Sequence, residues 1–339
     1  MKTILSLFFT LLLLLAAHAE KTDVVILKNG DYITGEVKNL DFGLLNFKTD
    51  HMGTIDIEWD EIASLSALNQ YFRLERQDGR LIYGSIDSDT LANKLLVLLD
   101  TVRIALDFAE IVRITPIKES LWDRFDLNVD LGYSYTKAST VSQLTFGGKA
   151  SYRAYRNSIQ MNWTSITTEQ QDKPQTRNRD VTLQGKRIFK NKWFLNSGIG
   201  AQQNTELGLD LRLSLTSGVG RNLIQTNHSL FLGSGGLSVN REWAQSTENA
   251  YNLEGILTVE FYRFIYKTPK MSLDSYFNVY PNLTDFGRIR TELEIKLKWE
   301  IIADLFWNVT FKSSSDNRPP SGEKANIDYN IIVSFGWKL

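Results

Sequence analysis

The stretch "RIRTELEIKLKWE", Arg288 to Glu300, alternates without a break. Ile289, Leu293, Ile295, Leu297 and Trp299 fall on one phase, joined by Thr291. Arg290, Glu292, Glu294, Lys296, Lys298 and Glu300 fall on the other. A period of two residues puts successive side chains on opposite faces of an extended strand, whereas a helix would scatter both sets around its axis. One face of this strand carries no charge and the other almost nothing else. The fold turns on what the apolar face meets. A soluble barrel or sandwich turns it inward to a core; a membrane barrel turns it outward to lipid and keeps a polar interior.

The same pattern recurs from Trp122 to the end of the chain. Twelve strands are expected, over roughly 123–135, 143–155, 157–166, 180–189, 192–202, 208–220, 228–239, 250–262, 270–280, 288–300, 303–312 and 326–339. "FDLNVDLGYSY" groups Phe125, Leu127, Val129, Leu131, Tyr133 and Tyr135. The final "NIDYNIIVSFGWKL" groups Ile327, Tyr329, Ile331, Val333, Phe335, Trp337 and Leu339. The seventh segment, "HSLFLGSGGLSV", is Gly-rich and leaves its phase open; its "GSGG" suits a close approach or kink within a strand.

Three features favour lipid. Charge is nearly absent from the apolar phase, with Arg187 near a strand end as the main exception. A Lys or Arg facing lipid at the bilayer midplane costs about 2–4 kcal/mol. Connections alternate between short ("RN", "KN", "YKTPK", "IIAD") and intermediate or long ("TTEQQDKPQTRNR", "SSSDNRPPSGEK"), with only the sixth, near "NLIQTNH", blurring the rule, as periplasmic turns and outer loops alternate. With the short turns in the periplasm, Phe125, Tyr152, Trp193, Phe261, Trp299, Trp307 and Trp337 form an aromatic belt at the near membrane interface. The opposite phase carries Lys149, Arg153, Lys186, Arg212, Glu254, Glu260, Arg290, Glu292, Glu294 and Lys296 as candidate lumen charges. They read either as ion pairs filling a narrow barrel or as the wall of a small hydrated pore.

The chain before the strands has a different organisation. "MKTILSLFFTLLLLLAAHAE" has the charged start, apolar run and small-x-small ending of a secretory signal, expected to be removed after Ala19. "KNGDYITGEV" (Lys28 to Val37) then matches "QDGRLIYGSI" (Gln77 to Ile86), with Gly30 meeting Gly79 at an offset of 79 − 30 = 49. The offset persists through Trp59 and Phe108, Glu61 and Glu110, Ile62 and Ile111, and a fixed offset of this length marks two copies of one unit. Each copy reads as a small SH3-like or Sm-like β-barrel, with the Trp59/Phe108 and Ile62/Ile111 positions in the core. The expected organisation is a signal peptide over 1–19, periplasmic repeats over 20–68 and 69–117, and a transmembrane barrel of about twelve antiparallel strands over 118–339.

The barrel region resembles the salt-induced outer-membrane protein family, domain-of-unknown-function family 481. The resemblance rests on the strand layout, "FDLNVDLGYSYT" and the aromatic closing strand. It implies an all-β outer-membrane protein with no established reaction, a link to salt or osmotic stress, and a last strand read by the barrel-assembly machinery. Outer-membrane lipid is then a partner as well.

Chemistry is sparse. The net charge of −1 excludes a large basic field for nucleic acid, and the absence of cysteine excludes disulfides and thiolate sites. No HExxH, GxSxG or phosphate loop occurs, so no cofactor, metal or catalytic residue is expected. His228, followed by Ser229, is the best base for a lipid-active hydrolase, but it falls at the short-turn end. Two functional readings stand beside that one: a porin-like channel for small solutes or ions, and a plugged barrel that anchors residues 20–117 for a periplasmic envelope partner.

Overall fold

The computed structural model describes residues 22–88, 94–99, 102–117, 124–137, 140–171, 173–205, 209–244, 247–318 and 327–337. The signal segment 1–19 and the terminal Leu339 lie outside them. The described chain is all-β, with a few single helical turns between strands.

The N-terminal unit has nine strands: β1 (Asp23–Leu27), β2 (Tyr32–Asp41), β3 (Leu44–Lys48), β4 (Thr54–Glu58), β5 (Ile62–Arg76), β6 (Leu81–Ser88), β7 (Lys94–Leu99), β8 (Val102–Asp107) and β9 (Ile111–Ile117). The internal repeat is visible in three dimensions. Single helical turns at Trp59–Glu61 and Phe108–Glu110 stand at the repeat offset, each leading into a strand. β1 pairs with the start of β5 and the end of β5 pairs with β9, so the two copies use equivalent ladders.

The copies are not separate bodies. β5 runs unbroken through position 68/69, and all nine strands join one sheet. Val25, Phe47 and Trp59 from the first copy share a buried core with Phe72, Val97 and Ile114 from the second. The rings of Trp59 and Phe108 meet at 4.9 Å with their planes tilted by 41°, and the Trp59 indole donates to the Phe108 carbonyl at 2.8 Å. Fewer than 50 residues bury too little surface to be stable alone, and a shared core supplies the rest.

The second sheet has twelve strands: β10 (Phe125–Thr136), β11 (Val141–Arg153), β12 (Asn157–Gln170), β13 (Thr176–Ile188), β14 (Trp193–Asn204), β15 (Leu209–Gln225), β16 (Ser229–Ala244), β17 (Thr247–Ile265), β18 (Met271–Pro281), β19 (Ile289–Ile302), β20 (Leu305–Asp316) and β21 (Ile327–Trp337). Each pairs antiparallel with its sequence neighbours. Directly opposed residues share a face, so the register extends one face around the sheet. The apolar face carries Leu131, Phe146, Met161, Leu183, Ile199, Leu215, Val239, Leu257, Phe277 and Ile331, all exposed. The register also settles the seventh strand: Leu230 and Leu232 point to the other face, Phe231 to the apolar one. Within "GSGG", a Cβ on Gly236 would collide with the backbone of Ser217 and Gly218, so the glycine permits a close approach of β15 and β16.

Two expectations fail. The long connection read into 167–179 is a strand ladder, with Thr168 opposite Thr176 and the turn confined to 171–175. Polar alternation in "TTEQ" and "TRNRD" marks strand that extends past the apolar belt, which hydropathy alone reads as loop. The sheet is also not a closed cylinder. Among the described residues β10 pairs only with β11 and β21 only with β20, and both are exposed along almost their whole length. Alternation reports the two faces of a strand and carries no information about its edges. The sheet is nonetheless strongly curved. Phe194 of β14 packs in one buried cluster with Leu230 and Leu232 of β16, across the intervening β15.

Candidate functional site at the seam between the two sheets

The connections at one end of the large sheet are 154–156, 189–192, 226–228, 266–270 and 303–304. The N-terminal unit sits against this end. Its deepest contact comes from the β2–β3 turn, Asp41-Phe42-Gly43. Both Phe42 (φ 51°) and Gly43 (φ 75°) are left-handed. For a bulky residue that conformation costs on the order of 1–3 kcal/mol and needs support from its surroundings. The support is here. The Phe42 ring lies 5.6 Å from Tyr262 and 5.0 Å from Phe264, and packs on the buried cluster of Phe194, Leu230 and Leu232. These rings lie on the face opposite the exposed apolar one. The Tyr266 hydroxyl donates to the Phe42 carbonyl at 2.6 Å, and burial pushes that hydroxyl above the usual phenol range. A Cβ on Gly43 would collide with the Asn227 carbonyl, so only glycine lets the turn enter this far.

Polar ties surround the wedge. His228 Nε2 lies 2.8 Å from the Asp60 carboxylate, and the Lys267 ammonium lies 3.0 Å from Glu61. Lys267 draws the Glu61 carboxyl below its ordinary range and is itself raised in return. Both ends of this pair are exposed, so it contributes little stability and mainly orients the unit. On the other side, Arg73 donates to the Tyr155 carbonyl at 2.9 Å and the Tyr83 and Tyr155 rings meet at 5.7 Å. Gly79, in the second copy's turn, packs on Lys192. The repeat is thus symmetric in its core and asymmetric in its docking: Gly79 touches the sheet, while its counterpart Gly30 has open space around it.

Beneath the unit's docking face, Arg113 donates to Asp41 at 3.0 Å and to Glu75 at 3.2 Å. Burial opposes the Arg113 charge, but the two carboxylates outweigh it and hold the guanidinium above its usual range. The pairing keeps Glu75 from being buried as an unpaired charge, which would be costly.

The residues singled out in the sequence fall as follows. Lys149, Arg153, Lys186, Arg212, Glu254, Glu260, Arg290, Glu292, Glu294 and Lys296 all lie on the face opposite the apolar one. Glu254 pairs with Arg290 at 2.8 Å. Glu294 takes Lys296 at 2.9 Å and Lys312 at 3.2 Å. Glu260 and Glu292 accept from the Tyr262 and Tyr280 hydroxyls. Arg153 meets Asp126 at 3.4 Å, and Arg212 donates to Gln202. Phe125, Tyr152, Trp193, Phe261, Trp299, Trp307 and Trp337 lie on the apolar face. Three arginines near the same end join them: Arg187, Arg221 (5.6 Å over the Trp193 ring) and Arg263. His228 and Ser229 do not meet, because the imidazole turns to Asp60 and Ser229 accepts from Arg263 at 2.6 Å.

Phe42 and Asp60, the residues that make the seam, were not singled out in the sequence. A signal for Phe42 existed. The first copy of the repeat carries Phe42-Gly43 at a turn where the second carries Leu91-Ala92.

The profile of the family described as "Protein of unknown function, DUF481" matches residues 129–338, which is most of the chain. The chain belongs to the DUF481 family. The match runs from within β10 to the end of β21, so the DUF481 region is the large sheet and the N-terminal unit lies outside it. No curated protein matches this DUF481 chain in sequence. Among solved structures, a bacterial polysaccharide outer membrane secretin is similar at a TM-score of 0.37 and 8% identity, over 79% of this chain and 97% of that one. A likeness this loose carries no argument about the DUF481 chain.

Proposed function

We propose that the protein is an outer-membrane β-barrel whose periplasmic mouth is stoppered by its own N-terminal unit. The observation that carries this reading is the Phe42 wedge, an aromatic turn of the unit packed among Tyr262, Phe264 and Leu232 at one end of the charged face. The membrane assignment rests on that charged face being turned away from a continuous exposed apolar one, on the aromatic residues near one end of that face, and on the secretory pattern of residues 1–19. In lipid every backbone group must be paired, so insertion requires β10 and β21 to join. On this reading the protein is a plugged barrel that holds a periplasmic unit at the membrane surface, where that unit meets another envelope component.

The second reading, a small-solute or ion channel tied to osmotic or salt stress, uses the same parts. It requires the unit to leave the mouth. Planar-bilayer recording separates the two. The full chain is expected to be closed, and the Phe42→Asp, His228→Ala double variant to conduct. Cysteines at positions 60 and 228, in a chain that has none of its own, should lock any residual current off when oxidised. Steady conductance by the unaltered chain, unchanged by the oxidised lock, would refute the stopper.

A further inference from the structure

Between the N-terminal unit and the large sheet lies a cavity of about 330 Å³. Its sheet-side wall holds a cross-strand row: Arg153 of β11 stands opposite Ser158 of β12, which stands opposite Lys186 of β13. Opposed side chains have Cβ atoms about 4.5–5.5 Å apart, so two cations flank one hydroxyl over about 10 Å. The unit supplies the facing wall, with Arg73, Arg113 and Thr115.

The charges here do not balance. Arg113 takes both Asp41 and Glu75, and Arg153 reaches Asp126 only at 3.4 Å. Arg73 is buried and donates to neutral oxygens alone, those of Tyr155 and Thr115, while its Nε–H has no partner. Lys186 has the Phe194 ring 4.3 Å away and no carboxylate in ion-pair contact. A buried cation with no carboxylate in contact is expensive; Arg73 is buried here and Lys186 half-buried. The Phe194 ring offsets part of the cost for Lys186 but offers it no oxygen acceptor. A second cavity shares Asn39 and Arg153 with the first; it is lined by Lys38 and Arg124 together with Glu36 and Asp126, so the approach from outside carries both signs of charge.

We propose that this chamber binds a small tetrahedral oxyanion of the phosphate type, held by Lys186, Arg73 and Ser158 with Arg153 at the entrance. The guanidinium edge and the ammonium supply the charge-assisted donors such an anion requires. The volume stands at the lower end of the roughly 300–1,000 Å³ typical of ligand sites, which admits inorganic phosphate or a phosphorylated group of modest size. The site depends on the seating of the N-terminal unit and not on the membrane reading, so each can fail without the other. An occupied site would bridge the unit and the sheet and tighten their contact.

The test is calorimetric titration of the full chain, in detergent free of phospholipid, with inorganic phosphate, sulfate and chloride. Phosphate or sulfate should bind at least tenfold more tightly than chloride. Lys186→Met should weaken binding tenfold or more, and Lys186→Arg should restore most of it. Lys186→Met removes no hydrogen bond, so its melting temperature without phosphate should equal or exceed that of the unaltered chain. If the inorganic anions give no heat, a short-chain phosphatidic acid is titrated next; binding to it alone, lost in Lys186→Met, assigns the oxyanion to a lipid headgroup. No binding by any of these probes, or equal affinity in Lys186→Met, overturns the proposal.

Discussion

Phe47 in β3 and Leu131 in β10 occupy the same kind of position, an apolar residue on one phase of an alternating strand. Phe47 is 0% exposed and Leu131 is 74% exposed. The contrast holds across both sheets. Val25, Leu45 and Ile114 are sealed inside the N-terminal unit, while Leu127, Ile331 and Phe335 stand in the open. In the small unit the strands wrap their apolar phase around one core, as water demands. In the large sheet the curvature runs the other way and brings Glu254, Glu294 and Lys186 toward the inside. Alternation says that a strand has two unlike faces. The direction of curvature decides which of them water meets.

The largest effect is expected in the small core. Phe47→Ala should cost about 3–5 kcal/mol, seen as loss of hydrogen-exchange protection across residues 22–117 with the large sheet unaffected. Equal protection would mean that the unit's core is not what holds it together. Leu131→Lys should cost about 2–4 kcal/mol when the chain is folded into vesicles, and almost nothing if that face is bathed in water. The result, read from urea titration of membrane-inserted protein, decides what covers the apolar face. Phe42→Ala belongs to neither core but to their junction. Loss of its ring contacts should weaken docking by about 1–2 kcal/mol, measured as faster hydrogen exchange at residues 41–44 and 262–266 in the inserted protein.

A cysteine scan pairing positions 127–133 with 329–335 asks a structural question. One register of outward-facing pairs should cross-link in membranes if β10 and β21 close there; no cross-link in any register would leave the edges apart. The smallest effect concerns Asp23. Burial raises its carboxyl from 3.8 to about 6, against the opposing hydrogen bond from Val37. Between those two values the folded state binds more protons than the unfolded chain, so this group's contribution falls as pH rises across the window and stays low above it. Asp23→Asn should therefore stabilise the unit at pH 8 and lose that advantage below pH 4. An equal difference at both pH values would show that the charge at Asp23 is not the cause.

Much of this architecture is legible in the residues. Each of the twelve expected strands overlaps a strand of the large sheet, and "RIRTELEIKLKWE" lies almost wholly within β19. The faces of its charges follow from parity alone, because a strand has no other way to arrange alternate side chains. The repeat offset likewise relates Trp59 to Phe108 as equivalent core positions, though only the fold brings the two rings into contact. Legibility ends where contacts are long-range. The fusion of the two copies through β5 depends on which strand β1 and β9 choose to pair, and no local pattern records that choice. Asp60 and His228 are 168 residues apart, each unremarkable in its own segment. Phe42 left a trace only as a departure from the repeat.

The sequence by itself therefore determined that the chain is all-β, that its strands are two-faced and where charge resides on each of them. These follow from the period of two in the chain's own geometry. Tertiary contacts set that the two repeats share one core, that among the described residues β10 and β21 each pair on one side only, and that an aromatic turn of the small unit packs against one end of the large sheet. Those outcomes depend on surfaces assembled from distant segments, where the free energy of an apolar ring or a buried cation is set by neighbours that only the fold supplies.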